Sequence, residues 1–385
     1  MRQLFIITET PFTARDYQRF GIDYLENFFE VIVCDCTAWL QKKFWGKYKS
    51  TADQRKKYKV VANYRQLLSV PIYPGDVVID CLGDYVAVNF FRKRLIQKKI
   101  ILTKLQNGLY PAVSRSKRWG KSLKSLLLSP RKWLLQCRKR ICALSYVPPT
   151  VLIVGGEIGL DTKDARHAKF NLLAHSFDYD IYLQVRMVSQ KNNEKYIVFL
   201  DQDLARHSDF YFDNVRCPVF EDSYYHALDV FFTKIEKKLG MKVIFSAHPR
   251  ADYSYRKHVL YGRSFYQGRT PQLVKNASLV LMHDTTSLSF AVLWYKPVIF
   301  LTTRALQKSM LGPGIQNVAR IFNQVPVNIN EDTFDTIEPK KIMHVDKACY
   351  DCYKNTYLKV KNSPDISTQE LLVSFVNREF SGVME

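Results

Sequence analysis

Three apolar runs in the middle of the sequence each stop at side chains able to trade protons or hold an anion. Tyr196–Leu200 ends at Asp201-Gln202-Asp203, the run into Ala247 ends at His248-Pro249-Arg250, and Leu279–Met282 ends at His283-Asp284-Thr285-Thr286-Ser287. Open α/β sheets present their binding residues at the carboxyl edge in this way. Paired carboxylates suit acid–base or nucleophilic work at an electrophilic carbon. A histidine, an arginine and a run of hydroxyls suit a phosphate or carboxylate, the arginine through two N–H groups. The third cluster falls on the turn into a helical pattern over residues 288–294, where backbone N–H groups and the helix dipole favour an anion. Each cluster also has a structural reading: Thr286 or Ser287 as a helix cap, His248 as a satisfied core histidine, Asp201 as a turn residue.

Strand-like and helix-like stretches alternate from the first residue. Leucine, isoleucine and valine fill short runs at residues 4–8, 31–35, 77–81, 100–103 and 151–154, with helical patterns at 17–29 and 85–97 between them. A second series begins at 196–200 and continues through 243–247, 279–282, 298–301 and 325–328. This order predicts α/β architecture with parallel sheets and crossover helices, in two Rossmann-like domains. The expected boundaries are 1–175, 176–360 and a C-terminal helix within 361–385, reading as helical over 367–378; residues 175–184 read as helical and are expected against a cleft between the domains. Gly155-Gly156-Glu157-Ile158-Gly159 falls short of a dinucleotide fingerprint because its third glycine is misplaced.

A chain of 385 residues suffices for two cores, and 47% hydrophobic with 14% aromatic content excludes a disordered protein. No apolar run approaches the ~20 residues a bilayer span needs. The first ten residues read as a strand rather than a signal peptide, so a cytoplasmic location is expected. Eight scattered cysteines suit free thiols in a reducing compartment, and Cys349-Tyr350-Asp351-Cys352 lacks the second pair or histidines of a metal site. The net charge of +21 is unevenly placed: residues 85–156 hold sixteen Lys and Arg and no acid. Between Arg115 and Arg140, ten basic residues interleave with Trp119, Trp133 and leucines, within a basic segment taken as 112–145. Basic residues mixed with Trp and Leu suit an anionic membrane surface. Nucleic acid is not expected, since the aromatics form no stacking array and no helix-turn-helix, zinc-finger or RRM signature is present.

The stretch from Ala247-His248-Pro249-Arg250 through Gly268-Arg269-Thr270-Pro271-Gln272-Leu273-Val274 to His283-Asp284-Thr285-Thr286-Ser287 and Lys296-Pro297-Val298 resembles the C-terminal donor domain of GT-B glycosyltransferases. A His-Pro motif followed by a hydroxyl pair resembles, more narrowly, bacterial sialyltransferases and Kdo transferases, and Phe199-Leu200-Asp201-Gln202-Asp203 is similar to segments of surface-polysaccharide transferases. The resemblance spans residues 157–303. It implies a GT-B fold, two Rossmann-like domains facing a central cleft, and transfer of an acidic sugar from a CMP donor to a lipid-linked or growing surface glycan. No metal and no cofactor is expected, and the protein is expected on the inner face of the cytoplasmic membrane.

On that resemblance, His248 donates to the leaving phosphate and Arg250 pairs with phosphate or carboxylate. Gln202, Asp284, Thr285, Thr286 and Ser287 complete the donor site, with Tyr253 and Arg263 at its border. A retaining enzyme would use Asp201 as nucleophile, with Asp203 as the close alternative, and Glu157 as acid/base; an inverting one needs a single general base. His207, Asp209, Asp178 and Asp180 are candidates for acceptor contacts or plain solvated positions. Asp201-Gln202-Asp203 also matches the metal-binding Asp-x-Asp of GT-A enzymes. A UDP- or GDP-sugar or CDP-glycerol donor, and a non-catalytic polybasic membrane- or RNA-binding adaptor, are the competing readings.

Overall fold

The computed structural model of the chain describes residues 1–47, 57–111, 137, 140–188, 194–207, 210, 215–249, 251–254 and 256–380. The chain divides into unit 1, made of Met1–Leu109, Ser114–Phe177 and Val360–Glu385, and unit 2, made of Tyr110–Val113 and Asp178–Lys359. Of the basic stretch from Arg115 to Arg140, only Cys137 and Arg140 fall within the described residues.

Unit 1 holds β1 (Gln3–Thr8), β2 (Glu30–Asp35), β3 (Tyr58–Val60), β4 (Val77–Cys81), β5 (Ile101–Gln106), β6 (Val151–Val154) and β7 (Phe170–Leu173). They form one sheet in the order β3-β2-β1-β4-β5-β6-β7, every pair parallel. Leu4, Phe5, Ile6 and Ile7 of β1 are all fully buried, because helices cover both faces of a parallel sheet and leave no solvent side to alternate toward. Helix α1 (Val86–Gln97) turns Val88, Phe91 and Leu95 inward. Its Arg92 is buried too, and pairs with Asp80 at 2.6 Å and Asp84 at 2.8 Å while donating to the Leu82 carbonyl at 2.7 Å. Gly155 follows β6 where a Cβ would stand 2.5 Å from the Asn107 Cα, so no larger residue fits that backbone approach.

The helical pattern over 17–29 is interrupted. Two short helices, Ala14–Arg19 and Ile22–Leu25, flank Gly21, whose φ of 56° lies in the left-handed region and stops the first of them.

Unit 2 holds β8 (Tyr196–Leu200), β9 (Lys242–Ala247), β10 (Phe265–Gln267), β11 (Leu279–Met282), β12 (Val298–Thr302) and β13 (Val327–Asn328), again all parallel, in the order β10-β9-β8-β11-β12-β13. The chain enters it within α2 (Phe177–Arg186). Helix α3 (Glu221–Leu239) buries Tyr224, Tyr225, Leu228, Phe231, Phe232 and Ile235, a stripe at helical spacing. Acids occupy its first turn and lysines its last, both favoured by the helix dipole, and Gly240 at φ 64° ends it with an N–H to the Glu236 carbonyl. Two shorter helices, α4 (Thr270–Asn276) and α5 (Leu288–Leu293), lead into and out of β11.

Helix α6 (Thr368–Glu379), in the segment set apart by sequence as 361–385, belongs to unit 1. Its Leu371, Leu372, Phe375 and Val376 join Leu4, Ile6 and Val31 in one apolar cluster.

Candidate active site at the carboxyl edge of unit 2

Strand order reverses between β8 and β11: from β8 the chain moves outward to β9 and β10, then returns to the other side of β8 and continues outward through β12 and β13. Loops leaving two adjacent strands of such a sheet diverge at this point and open a crevice at the carboxyl edge. Asp201-Gln202-Asp203 leaves β8 and His283-Asp284-Thr285-Thr286-Ser287 leaves β11, so both clusters flank that crevice. The Gln202 amide joins the two loops, donating to the Asp284 carbonyl and accepting the Asp284 N–H at 3.3 Å.

Asp201 is nearly sealed, at 5% exposure. Its Oδ1 accepts the Asp203 N–H at 3.0 Å, and its Oδ2 accepts the Tyr253 hydroxyl and, at 3.2 Å, the Tyr225 hydroxyl. Burial pushes its carboxyl up to about 7, the Asp203 charge adding to the rise and the Asp203 N–H and Tyr225 opposing it. A nucleophile needs an ionised oxygen with an open approach, and both oxygens of Asp201 are engaged by donors from within the fold.

Asp203 takes the left-handed backbone at φ 50°, which turns its side chain back into unit 2. There Arg256, only 2% exposed, donates to both of its oxygens at 3.1 Å. The same guanidinium reaches Glu221 at the start of α3, and Arg206 holds Glu221 from its other side at 2.6–3.0 Å. Burial works to raise the Glu221 carboxyl, but the two arginines outweigh it and keep it below the ordinary range. Asp201 and Asp203, two of the three carboxylates expected to do chemistry, thus turn inward and brace the β8 loop.

His283 is buried at the end of β11. Its Nδ1 meets the Leu301 carbonyl at 2.7 Å and its Nε2 meets the Tyr224 hydroxyl at 2.7 Å. A carbonyl only accepts, so the ring carries its proton on Nδ1 and takes the tyrosine's hydrogen bond at Nε2. Burial lowers its pKa to about 4, leaving a neutral tie between β11, β12 and α3. Asp284 is raised by burial against the opposing bond from Tyr110.

The remaining hydroxyls are more open. Thr286 is exposed, while Thr285 and Ser287 are half-buried. Ser287 precedes α5 without a side-chain capping bond, and its N–H is taken by Thr285 Oγ1 at 3.3 Å. His248 is half-buried, its ring edge-on to His207 with centroids 5.3 Å apart. Gln267, the last residue of β10, fixes that turn by donating to the carbonyls of His248, Pro249 and Ala251 at 3.0, 3.1 and 2.8 Å. Arg250 and Asp209 lie outside the described residues.

Two expected border residues sit elsewhere. Tyr253 is buried against Asp201 rather than facing a ligand. Arg263 precedes β10 and therefore lies at the amino edge of the sheet, locked to Asp229 and Glu236 of α3. Glu157 belongs to unit 1, exposed at the carboxyl end of β6. Asp178 accepts the Ser289 hydroxyl at 2.5 Å, and Asp180 is buried. Among the described residues no group of three or more His, Cys, Asp or Glu is placed to hold a metal ion. Tyr225, Arg256, Glu221 and Gln267 escaped the sequence reading. Only Tyr225 carried a signal, the apolar spacing that puts Tyr224-Tyr225 on the inner stripe of α3.

Whole-chain comparison agrees with the two-sheet architecture. The chain is similar to the S. aureus MnaA-UDP co-structure at a TM-score of 0.50 and 10% identity, over 98% of this chain and 96% of that one. It also aligns with the wall teichoic acid polymerase TagF, at 0.49 and 11% identity over 98% of this chain and 88% of that one. A third is the UDP-GlcNAc 2-epimerase of Methanocaldococcus jannaschii, at 0.47 and 12% identity over 98% of this chain and 100% of that one. No protein-family model matches the chain, and no curated protein matches it. The fold class is GT-B: α/β, with two parallel sheets of seven and six strands.

Proposed function

We propose that this protein is a glycosyltransferase whose nucleotide-activated donor binds at the crevice between the β8 and β11 loops of unit 2. The observation that carries the reading is the reversal of strand order between those strands, with Gln202, Thr285, Thr286 and Ser287 on the loops that flank it. Ligands of open α/β sheets bind at such a point.

The donor we propose is a CMP-linked acidic sugar of the Kdo or sialic-acid class, and the acceptor a lipid-linked or growing bacterial surface glycan. The His-Pro turn and hydroxyl run that resemble CMP-sugar transferases support it, as does the net charge of +21, which favours an anionic donor and acceptor. The hydroxyls, with His248 and Arg250, would stabilise charge growing on the departing phosphate. The burial of Asp201 and Asp203 favours a positioning role for both, so the reading needs only one general base, for which Glu157 is the exposed carboxylate proposed. No metal or cofactor enters this proposal. Peripheral attachment to the anionic inner face of the cytoplasmic membrane, through the basic stretch 112–145, is part of it. Among the described residues no helix is long and apolar enough to cross a membrane.

A UDP-linked donor is the second reading, favoured by the UDP in the S. aureus structure of the same fold. Thermal stability measured with CMP, UDP, GDP and CDP, without and then with magnesium, decides between them. Selective stabilisation by CMP without metal supports the first reading and by UDP the second. No response to any nucleotide overturns both and brings forward the non-catalytic adaptor.

A further inference from the structure

The outward face of α1 in unit 1 carries side chains for which the nucleotide site has no use. While Phe91, Arg92 and Leu95 point inward, Phe90, Lys93, Arg94 and Ile96 stay outside, Phe90 at 56% exposure. Residues 140–144 form a helical turn held against the start of this helix: the Asn89 amide donates to the Cys142 carbonyl and the Ser145 hydroxyl, each at 3.2 Å. That turn leaves Ile141 50% and Leu144 88% exposed, next to Arg140. Lys98 and Lys99 extend the basic character past the end of α1.

Single exposed apolar residues are ordinary. Here exposed cations stand beside them in both α1 and the 140–144 turn, in an interval, 85–156, that contains no acid. The acids just before that interval, Asp80 and Asp84, are paired with Arg92, and Glu9 accepts the Gly83 N–H at 2.9 Å near the start of α1. An apolar partner alone would not call for the cations, and a polyanion alone would not call for exposed phenylalanine, isoleucine and leucine. A bilayer with anionic headgroups satisfies both, taking side chains into the acyl boundary and lysines and arginines among its phosphates. We propose that the face formed by α1 and residues 140–144 docks on an anionic lipid surface, with Phe90, Ile141 and Leu144 inserting and Lys93, Arg94 and Lys98 at headgroup level. The proposal rests on the membrane attachment suggested above and moves part of that attachment onto a folded surface. RNA is the disfavoured partner because these apolar side chains are mostly aliphatic and offer bases little to stack on.

The test is co-sedimentation of the full chain with phosphatidylcholine vesicles and with mixed phosphatidylcholine–phosphatidylglycerol vesicles. The expected result is salt-sensitive binding to the mixed vesicles, weakened on the order of tenfold in Phe90→Glu/Leu144→Glu and in Lys93→Glu/Arg94→Glu. Both variants retain the basic stretch before residue 140, so only the folded face is altered. Unfolding temperatures equal to the parent's, and unchanged stabilisation by nucleotide, confirm that the fold and the donor site are intact. Equal binding to neutral vesicles, undiminished binding by both variants, or preferential retention of single-stranded RNA by this face overturns the proposal. Loss of vesicle binding with nucleotide response intact leaves the donor reading standing, whereas a parent that binds vesicles but no nucleotide strikes at the donor reading alone.

Discussion

The side chain of Gln202 pairs with the backbone of Asp284 as a peptide group would, one bond in each direction. The β8–β11 ladder ends at Phe199 and Leu281, and this amide continues it across the two loops that diverge there. Gln202 thereby sets the spacing of the crevice mouth without belonging to either strand.

Replacing it tests that role. Gln202→Ala removes two hydrogen bonds at the surface of unit 2, each contributing about 1 kcal/mol. Nucleotide-induced stabilisation is expected to weaken roughly tenfold in half-saturating concentration, with the ligand-free unfolding temperature lowered by about 4–8 °C from the two lost bonds. A variant that binds nucleotide like the parent would place the ligand elsewhere.

Arg256 joins Asp203 and Glu221 in a nearly sealed position. Arg256→Ala strands Asp203 and leaves Glu221 to Arg206 alone, and removing one partner of a buried pair costs about 3–5 kcal/mol. Urea denaturation should show that loss. Arg256→Lys should recover little of it, since an ammonium cannot supply two parallel N–H groups to Asp203 while also reaching Glu221.

Asp201 and His283 respond to pH with opposite sign. Asp201 is raised from 3.8 to about 7, so the folded protein keeps a proton that the unfolded chain has released; that contribution is complete below pH 3.8 and lost as pH rises through 7. His283 is lowered from 6.5 to about 4, so the unfolded chain takes up a proton first; that contribution is complete above pH 6.5 and lost as pH falls through 4. Over the shared window the slopes oppose. In Asp201→Asn only the histidine slope remains, so the stability difference between variant and parent should move in the variant's favour by on the order of 2 kcal/mol from pH 4.5 to 6.5. A difference that stays flat across that range in urea titrations would show that Asp201 is ionised throughout.

Gly155→Ala is expected to destabilise unit 1 by about 1–3 kcal/mol, because the new methyl meets the Asn107 backbone rather than a side chain that can swing away. Calorimetry reads this as a lowered transition. An unchanged transition would mean that the β5 and β6 loops can separate at little cost.

The buried strands were legible because a parallel strand covered on both faces reads as a continuous apolar run rather than an alternating one, as in Leu4–Ile7 of β1 and Val298–Leu301 of β12. Three of the four edge strands were not, although β13 fell within the expected run at 325–328. β3, β7 and β10 are three or four residues long and half exposed, so neither length nor patterning marks them. Clustering of the site residues at one sheet edge followed from strand endings alone. Whether Asp201 and Asp203 face inward or outward did not, for that depends on the φ of Asp203 and on Arg256, fifty-three positions later in the chain. The same limit applies to Arg263: adjacency in sequence to the His-Pro strand says nothing about which end of the next strand a residue occupies.

The placement of α6 sets an order on assembly. Residues 178–359 leave the ribosome before Leu371, Leu372 and Phe375, which complete the apolar cluster around β1. Unit 2 is continuous apart from residues 110–113, which precede it, so during synthesis it can close first, while the first strands made await a partner from the last helix. Nascent chains halted before residue 368 would therefore carry a protease-resistant unit 2 and a unit 1 still open to cleavage.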